Sequence, residues 1–339
     1  MSATTAGPAG LKVRTAVRNF LATAEAAPHL RSGALGVAVS GGADSLALAA
    51  AAAHVAGAIG LTVVALVVDH GLQDGSAEVA KQAAATARRL GVADATVLTV
   101  EVTGAGGPEA AARRARYAAL ADALPGDDAL ILLGHTLDDQ AETVLLGLGR
   151  GSGPRSVAGM LALDPPWARP LLGLPRSVTE QACAELGVRT WQDPHNSDRR
   201  YTRVRLRAEV LPLLEQVLRG GVAGALARTA AQLREDLDAL DALADEVLDR
   251  ASIDTARTPQ LAVEELRACR PAVRRRVLRR WLIDAGAREL TDQHLRSADA
   301  LIGRWRGQGG VWLPGDLVVS RSHGRLHVHR AGVTRADGS

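Results

Sequence analysis

Ser40-Gly41-Gly42-Ala43-Asp44-Ser45 sets two hydroxyls and one carboxylate among glycines, between two apolar runs, Leu35–Val39 and Leu46–Ala53. The first run reads as a short buried strand and the second as a buried helix. Gly41 and Gly42 permit backbone angles and close approaches that a side chain blocks. A strand, a glycine-rich turn and a helix N-terminus together aim several N–H groups at one point, which is an anion site. The loop is not the Walker form, which needs G-x-x-x-x-G-K-S/T, because no lysine lies near it. It is not the G-x-G-x-x-G dinucleotide fingerprint either. Asp44 by itself would repel a phosphate. It suits the loop if it holds a Mg2+ that bridges to phosphate oxygens, since Mg2+ takes one or two carboxylates plus substrate phosphate. A glycine-rich turn with Asp44 and Ser45 capping the next helix accounts for the same residues, and the loop alone leaves both readings open.

A second stretch, GHTLDDQAETVLLGLGRGSG at 134–153, carries more carboxylates. On a helix Asp138 and Asp139 stand four and three residues before Glu142, so all three share a face. A solvated acidic face accounts for these acids, but not for His135 before them or the R-G-S-G loop after them. In PEAAARRARYAAL at 108–120, Glu109, Arg113, Arg116 and Tyr117 follow one helix face. A structural Glu109–Arg113 ion pair is the other reading of that spacing.

Periodicity gives the elements that must position these groups. A leading helix is expected over 11–25, then strands over 62–71, 95–102 and 129–135, alternating with helices Ser76–Leu90, Glu109–Leu124 and Asp138–Leu148. Ser76 is the expected N-cap of its helix. Strand runs this apolar, spaced by helices, indicate a parallel sheet covered on both faces, hence an α/β, doubly wound fold. Ligands of such sheets sit at the carboxyl ends of the strands, where Asp44, Asp69, His70, His135, Asp138 and Asp139 all fall. LDPPWARPLLGLP at 163–175 reads as an ordered connector, Ser177–Leu186 as a short helix, and 191–214 as a polar loop entering a basic helix. From about Gly220 long helices dominate to about Arg304, followed by short strands at 311–313, 316–321 and 325–329. The chain is read as two domains, 1–218 and 219–339.

The 339 residues include 40 basic and 37 acidic ones, and only Lys12 and Lys81 are lysine. The net charge of +3 hints at a nucleic-acid partner without establishing one, because the heavy use of Ala, Gly and Arg reflects a GC-rich coding bias. No stretch combines the length and apolarity of a membrane span, and no signal peptide is read at the N-terminus. Cys183 and Cys269 fit no C-x-x-C metal or redox pattern, and a disulfide framework is not expected. A reducing cytoplasm is the expected compartment. A homodimer is left open.

S-G-G-A-D-S after the first strand resembles the PP-loop of the N-type ATP pyrophosphatases. Together with VDHGLQDGSAEVA, EAAARRARY, GHTLDDQAETVLLGLGRGSG, RPLL and WQDPHNSDRRYTRVRLRAEVLPLL it resembles the tRNA(Ile)-lysidine synthases, the matches running in order over about residues 35–215. The part beyond is similar to that family only in length and in its layout of helices, then strands. Three departures stand out: Ser156-Val157-Ala158-Gly159-Met160 where the family has a G-L-x-x-M run, Ser177-Val178 rather than an acid after Arg176, and Val204 rather than Asn after Arg203.

The resemblance implies an ATP-dependent ligase. Its substrates are expected to be ATP, free L-lysine and the CAU-anticodon tRNA(Ile), with Mg2+ held by Asp44. ATP falls to Ser40, Gly41, Gly42, Ala43, Asp44, Ser45, Asp69, His70 and His135. Asp44, Arg113, Asp139 and Glu142 are the expected catalytic residues, with Arg113 at the α-phosphate or the adenylated base. Lysine and tRNA fall to Asp139, Glu142, Arg203 and Arg207. A PP-loop tRNA thiolase is the nearest competitor, but it normally needs clustered cysteines. A PP-loop amidotransferase would need a glutaminase domain. A non-catalytic tRNA-binding protein would be expected to lose the loop's polar residues. In the C-terminal part CRPAVRRRVLRRWLI at 269–283 reads as one helix. Val273, Val277 and Trp281 are expected to face the core; Arg275, Arg276, Arg279 and Arg280, with few acids nearby, read either as a face for RNA phosphates or as a solvated arginine face inflated by codon bias.

Overall fold

A computed structural model describes residues 7–331 except 72, 74, 104–106, 127, 152, 194–197 and 254–259, and the side chains of 108 and 109 also fall outside the described part. The expected Glu109–Arg113 pair therefore lies outside the described residues. The chain divides into two compact units, Met1–Ala231 and Gln232–Ser339.

In the first unit β1 (Ala34–Ala38), β2 (Thr62–Asp69), β3 (Asp94–Thr99) and β4 (Leu130–Leu132) alternate with α1 (Pro8–Leu21), α2 (Ala43–Ala58), α3 (Ser76–Arg89), α4 (Pro108–Asp122) and α5 (Leu137–Arg150). Then follow α6 (Pro154–Val157), β5 (Leu163–Asp164), β6 (Trp167–Ala168), α7 (Arg176–Glu185), α8 (Thr202–Arg205), a π-helical turn at 206–210 and α9 (Leu211–Val217). The sheet order is β3-β2-β1-β4-β6-β5. All neighbours are parallel except the β5–β6 pair. This is the expected doubly wound α/β sheet, with one correction: the proline-rich connector contributes two short strands to the sheet edge. From β1 the chain winds outward to β2 and β3, and β4 then lands on the other side of β1, with Val37 in register with both Ala65 and Leu132. The loops leaving β1 and β4 thus diverge over a crevice at the switch in winding direction, where α/β sheets bind ligands.

α2 is apolar on almost every face because it is covered twice, by the sheet on one side and by α1 and α7 on the other. Ala9, Val13, Val17 and Leu21 form the buried stripe of α1, at the four-residue spacing that keeps them on one face. Glu185 at the end of α7 accepts hydrogen bonds from Ala9 N (3.1 Å) and Gly10 N (2.9 Å). It satisfies N–H groups that the start of α1 leaves unpaired. α2 starts at Ala43, three residues before the apolar run suggests, so the glycine-rich loop after β1 opens directly into a helix N-terminus. α3 starts at Ser76 but its N-cap is Gly75, with φ 80°, not Ser76.

In the second unit α10 (Val222–Ala251), which begins in the first, leads to β7 (Ser252–Ile253), β8 (Gln260–Ala262), α11 (Val263–Arg267), α12 (Pro271–Asp284), α13 (Asp292–Gly303), β9 (Val311–Leu313), β10 (Leu317–Ser322) and β11 (Arg325–Arg330). The strands form an antiparallel sheet, β7-β8-β11-β10-β9. Its inner face packs Leu261, Val319, Leu326 and Val328 with Val277, Leu278, Trp281 and Leu301. Val277 and Trp281 of α12 are buried and Val273 partly so, as the spacing predicts. The expectation of few acids near the α12 arginines is overturned. Arg276 bonds Asp241 at 2.9 Å, Arg280 lies 3.6 Å from Asp245, and the buried Arg274 pairs with Asp299 at 2.5 Å. Among the described residues Arg275 and Arg279 alone of that helix's middle arginines have no ion pair. No single described helix is long and apolar enough to cross a membrane.

Gly134, just past β4, tests the crevice geometry. A Cβ there would lie 3.0 Å from the Asp44 carbonyl carbon and 3.1 Å from both its oxygen and Ser45 N. Those atoms belong to the first turn of α2 and yield only if helix and strand separate. Gly134→Ala is expected to cost about 1–3 kcal/mol, the usual range for overpacking, and to weaken ATP binding. Urea unfolding and nucleotide titration of the variant check this, and unchanged values in both would remove the close packing from the account of the site.

Candidate active site

The phosphate loop is held by its own serines. Ser45 Oγ donates to Gly42 O (2.9 Å) and accepts from Ser40 N (3.1 Å), and the two hydroxyl oxygens lie 3.2 Å apart. With Gly42 as N-cap, Ala43, Asp44 and Ser45 supply the first N–H groups of α2, which have no intrahelical acceptor and sit at the positive end of the helix. Gly41 turns the chain at φ 84°, and its carbonyl accepts from Trp191 N at 2.8 Å. A Cβ at Gly41 would meet Trp191 Cβ at 3.3 Å. The segment around Trp191 therefore straps back over the loop, and a side chain at 41 would lift it.

Two cavities meet at this loop. One, of about 490 Å3, runs along the ends of β1 and β2 and is lined by Val39, Asp69, His70, Arg116, Leu120 and others. Its size suits a nucleotide-sized ligand. The other, of about 760 Å3, lies beyond the loop and is bordered by Asp44, His135, Asp139, Arg176, Glu180 and Arg207. Ser40, Gly42, Arg116, Trp191 and Asp193 border both. A phosphate chain on the loop would face the two cavities at once.

The carboxylates here are bound to arginines. Arg176, the first residue of α7, reaches Asp44 Oδ2 through Nε at 3.1 Å and Asp139 Oδ1 through Nη2 at 2.7 Å. Its backbone N donates to Asp138 Oδ2 at 2.8 Å. Thr179 Oγ1 donates to the other oxygen of Asp44. Asp139 also reaches back to its own helix start, accepting from Thr136 N (2.8 Å) and Thr136 Oγ1 (2.9 Å). Glu142 is fully buried behind Arg207, whose Nε donates to Oε1 at 2.7 Å, and Arg203 lies 3.9 Å from Oε2. Glu142 does not line either cavity. Glu180 does line the second, and it has no hydrogen bond or ion pair among the described residues.

Titration follows these contacts. Burial pushes Asp44 above the usual carboxylate range, and the Thr179 bond and Arg176 only partly offset it. Burial also acts to raise Asp139, but Arg176 and the Thr136 N–H outweigh it and hold Asp139 below its ordinary value. Burial raises Glu142 against the pull of Arg207. Burial alone would lower Arg176, yet Asp139 and Asp44 hold it above its ordinary value. His70 is lowered by burial and by Arg116. His135 is pushed down to about 3, first by burial, with Arg169, Arg116 and Arg113 adding to it. Both imidazoles are neutral at pH 7, and the Nδ1 atoms of both are buried without a hydrogen-bond partner among the described residues.

Of the residues singled out in the sequence, Ser40, Gly42, Ala43, Asp44, Ser45, Asp69, His70, His135, Asp139 and Arg207 border the two cavities. Asp69 is buried and holds the following turn, accepting from Gly71 N at 3.0 Å. Gly41 stands behind the loop. Arg113 is exposed, bonds Tyr117 Oη at 3.2 Å and stacks 4.8 Å from its ring; Arg116, three residues on, borders both cavities. The sequence reading passed over Arg176, Thr179, Glu180 and Trp191 as site residues. Arg176 did leave a signal. An arginine in the first turn of a helix opposes the helix dipole, so its place there calls for acids close by.

Sequence comparison adds the lineage. The PP-loop domain family matches residues 12–214, and the TilS substrate binding domain family matches residues 261–327. The chain is 56% identical over 326 residues to the tRNA(Ile)-lysidine synthase of Rhodococcus jostii, covering 95% of this chain and 96% of that one. It is 56% identical over 302 residues to that of Mycobacterium tuberculosis, covering 88% and 91%. Among solved structures, the U34-tRNA thiolase NcsA of Methanococcus maripaludis, with its 4Fe-4S cluster, superposes with a TM-score of 0.54 at 17% identity, over 66% of this chain and 79% of that one. That likeness shows the fold.

The depressed His135 gives the site a pH signature. An unfolded histidine takes up a proton near pH 6.5, which the folded imidazole refuses down to about 3. The stabilisation is therefore complete above the unfolded pKa and is lost as pH falls below it. Between pH 7.5 and 5 the urea midpoint of wild type is expected to fall further than that of His135→Asn. Equal falls would show that other groups carry the acid response.

Proposed function

Because this chain belongs to the tRNA(Ile)-lysidine synthase family, ATP-dependent ligases built on a PP-loop domain, we propose that it joins free L-lysine to C2 of the wobble cytidine of a CAU-anticodon tRNA(Ile), in the cytoplasm. The observation that carries this reading is the pair of cavities meeting at one phosphate loop. ATP occupies the cavity by Asp69 and His70, with its phosphates on the loop. The cytidine and lysine come from the side of Asp139 and Arg207.

The chemistry proceeds in two steps. The C2 oxygen of the cytidine attacks the α-phosphorus, the bond to the bridging oxygen breaks, and pyrophosphate leaves on the loop N–H groups. Fixed N–H donors at a helix start stabilise charge without reorganising as it develops. Arg116, with Arg113 behind it, adds guanidinium charge beside the α-phosphate. The ε-amine of lysine then forms a bond to C2, loses a proton, and AMP departs with the former C2 oxygen. Asp44 is the residue that would hold Mg2+. Burial raises its pKa despite Thr179 and Arg176, which is consistent with room for a further cation, and the ion would neutralise charge on the phosphates. Mg2+ sites built on substrate phosphate need few protein carboxylates, so the lack of a three-ligand cluster among the described residues is compatible with it.

For lysine, Glu180, which has no ion pair among the described residues, stands ready for an ammonium group, with Asp139, held by Arg176 and Thr136, beside it and Arg207 for the carboxylate. Glu142 acts through Arg207, which it holds by a charged hydrogen bond, with Arg203 beside it.

The direct test mixes the protein with ATP, Mg2+, labelled lysine and a CAU-anticodon tRNA(Ile) transcript, and looks for lysine in RNA. Label found only in free lysine overturns the assignment. Two variants then separate the roles. Glu180→Gln is expected to raise the KM for lysine about tenfold, a charged hydrogen bond being worth about 1.5–3 kcal/mol, and to leave that for ATP in place. Asp139→Asn is expected to impair both substrates, because Arg176 ties Asp139 to Asp44. A lysine-only defect in Asp139→Asn would break that coupling.

A further inference from the structure

Trp191 stands where the two cavities meet, and it packs into none of the hydrophobic cores. It is 43% exposed. Among the described residues no other ring stacks on its indole and no guanidinium lies over it. An aromatic residue that borders a concave site, with its ring left free, is placed for a ligand rather than for packing.

Its backbone, unlike its ring, is fixed. Trp191 N donates to Gly41 O at 2.8 Å. A Cβ on Gly41 would lie 3.3 Å from Trp191 Cβ, and one on Gly42 would lie 3.9 Å from Trp191 O. Two residues on, Asp193 Oδ1 accepts from Gln73 Nε2 at 3.1 Å, which ties the segment to the loop after β2. The indole is thus mounted on the phosphate loop itself, and the tie to Gly41 survives any change of side chain.

The ring that belongs against it follows from the rest of the first cavity. Besides the loop, that cavity is lined by Leu66, Val68, Val79 and Leu120, from β2, α3 and α4, an apolar wall suited to the adenine of ATP. With the phosphates on the loop, Trp191 falls at the phosphate end of the nucleotide. An indole offers a phosphate only its single N–H, whereas its face suits another flat ring. The flat ring that the reaction brings to the α-phosphorus is the cytosine.

We propose that Trp191 positions the base to be modified: its indole lies against the cytosine and holds the C2 oxygen toward the α-phosphorus above the phosphate loop. The proposal rests on the ligase reading above and adds the residue that orients the acceptor ring. Stacking is indifferent to the identity of the base, so Trp191 sets the plane of the ring and not the choice of cytosine. Orientation matters because displacing a reacting atom by about 1 Å can cost about a hundredfold in rate.

The test compares two CAU-anticodon tRNA(Ile) transcripts, one intact and one abasic at the wobble position, on wild type, Trp191→Leu and Trp191→Tyr. For wild type, loss of the base is expected to weaken binding about tenfold, within the range of base–aromatic stacking. Trp191→Leu is expected to bind the intact transcript about tenfold more weakly than wild type and to bind both transcripts alike. Trp191→Tyr, which keeps a ring, should recover most of the difference. ATP affinity without RNA should stay within about twofold in both variants, because the bond to Gly41 O is made by the backbone N–H. At saturating tRNA, tRNA-dependent exchange of pyrophosphate into ATP should slow in Trp191→Leu and hold in Trp191→Tyr, the mark of a lost orientation. A base effect of equal size in wild type and Trp191→Leu overturns the proposal. Weakened ATP binding in Trp191→Leu also overturns it, in favour of an indole that stacks on adenine or merely keeps the strap in place. A wild-type protein that transfers no lysine to the intact transcript would instead overturn the assignment of function on which the proposal stands.

Discussion

Arg176 is the residue on which the site's geometry depends. It is the first residue of α7, yet its guanidinium joins the starts of two other helices, α2 through Asp44 and α5 through Asp139. Its own N–H closes the set on Asp138. Three helix N-termini thus converge, each bringing partial positive charge, and three carboxylates sit among them. Without a cation, Asp44 and Asp139 would repel each other across the cavity, and the charge of Asp139 already acts to raise Asp44. With Arg176 in place they are held at fixed separation, one turned to the phosphate loop and one to the second cavity. Burying such a group costs solvation that only well-formed pairs repay, and here every nitrogen distance given, 2.7 to 3.1 Å, is that of a formed bond.

The sheet makes this convergence possible. Parallel strands leave all their carboxyl ends on one edge, so the loops after β1 and β4 emerge side by side. The reversal of winding at β1 parts those loops, and the part is where the cavities lie. Gly134 lets the end of β4 pass within contact of the first turn of α2. A wider gap there would carry Asp139 away from Asp44, and a single guanidinium would no longer span them.

Much of this was legible in the sequence, and the divide is physical. The β1 loop, the apolar strands and the i, i+3 and i, i+4 acids are local patterns, so the parallel α/β sheet and the placing of Asp44, His135 and Asp139 at strand ends followed from spacing. Arg176 and Trp191 were missed as site residues because their partners lie 132 residues away in one case and across the fold in the other. No local period reports such a contact. The two-residue strands β5 and β6 were missed because prolines and brevity hide a strand whose only role is to extend an edge. Arg116 and Arg113 share a face by spacing, and only packing decides which of them borders a cavity. Glu142 counted as a site acid by its helix face, and that face turned out to be filled by Arg207.

The same limit governs how charge is read. A surplus of +3 among 77 charged lysines, arginines, aspartates and glutamates says little about where a polyanion would bind, because opposite charges brought together by folding cancel. On α12 the arginines are dense in sequence, but α10 and α13 meet them with aspartates. At the α13–β9 turn they are sparser, yet no acid among the described residues answers them. What a long-range partner feels is the uncancelled remainder, since field from a closed ion pair falls off faster than from a lone charge and is further screened within about 8–10 Å at ordinary salt. A run of arginines and a binding face are therefore different things. The first is a property of composition and codon use, and the second depends on which acids the fold has left elsewhere.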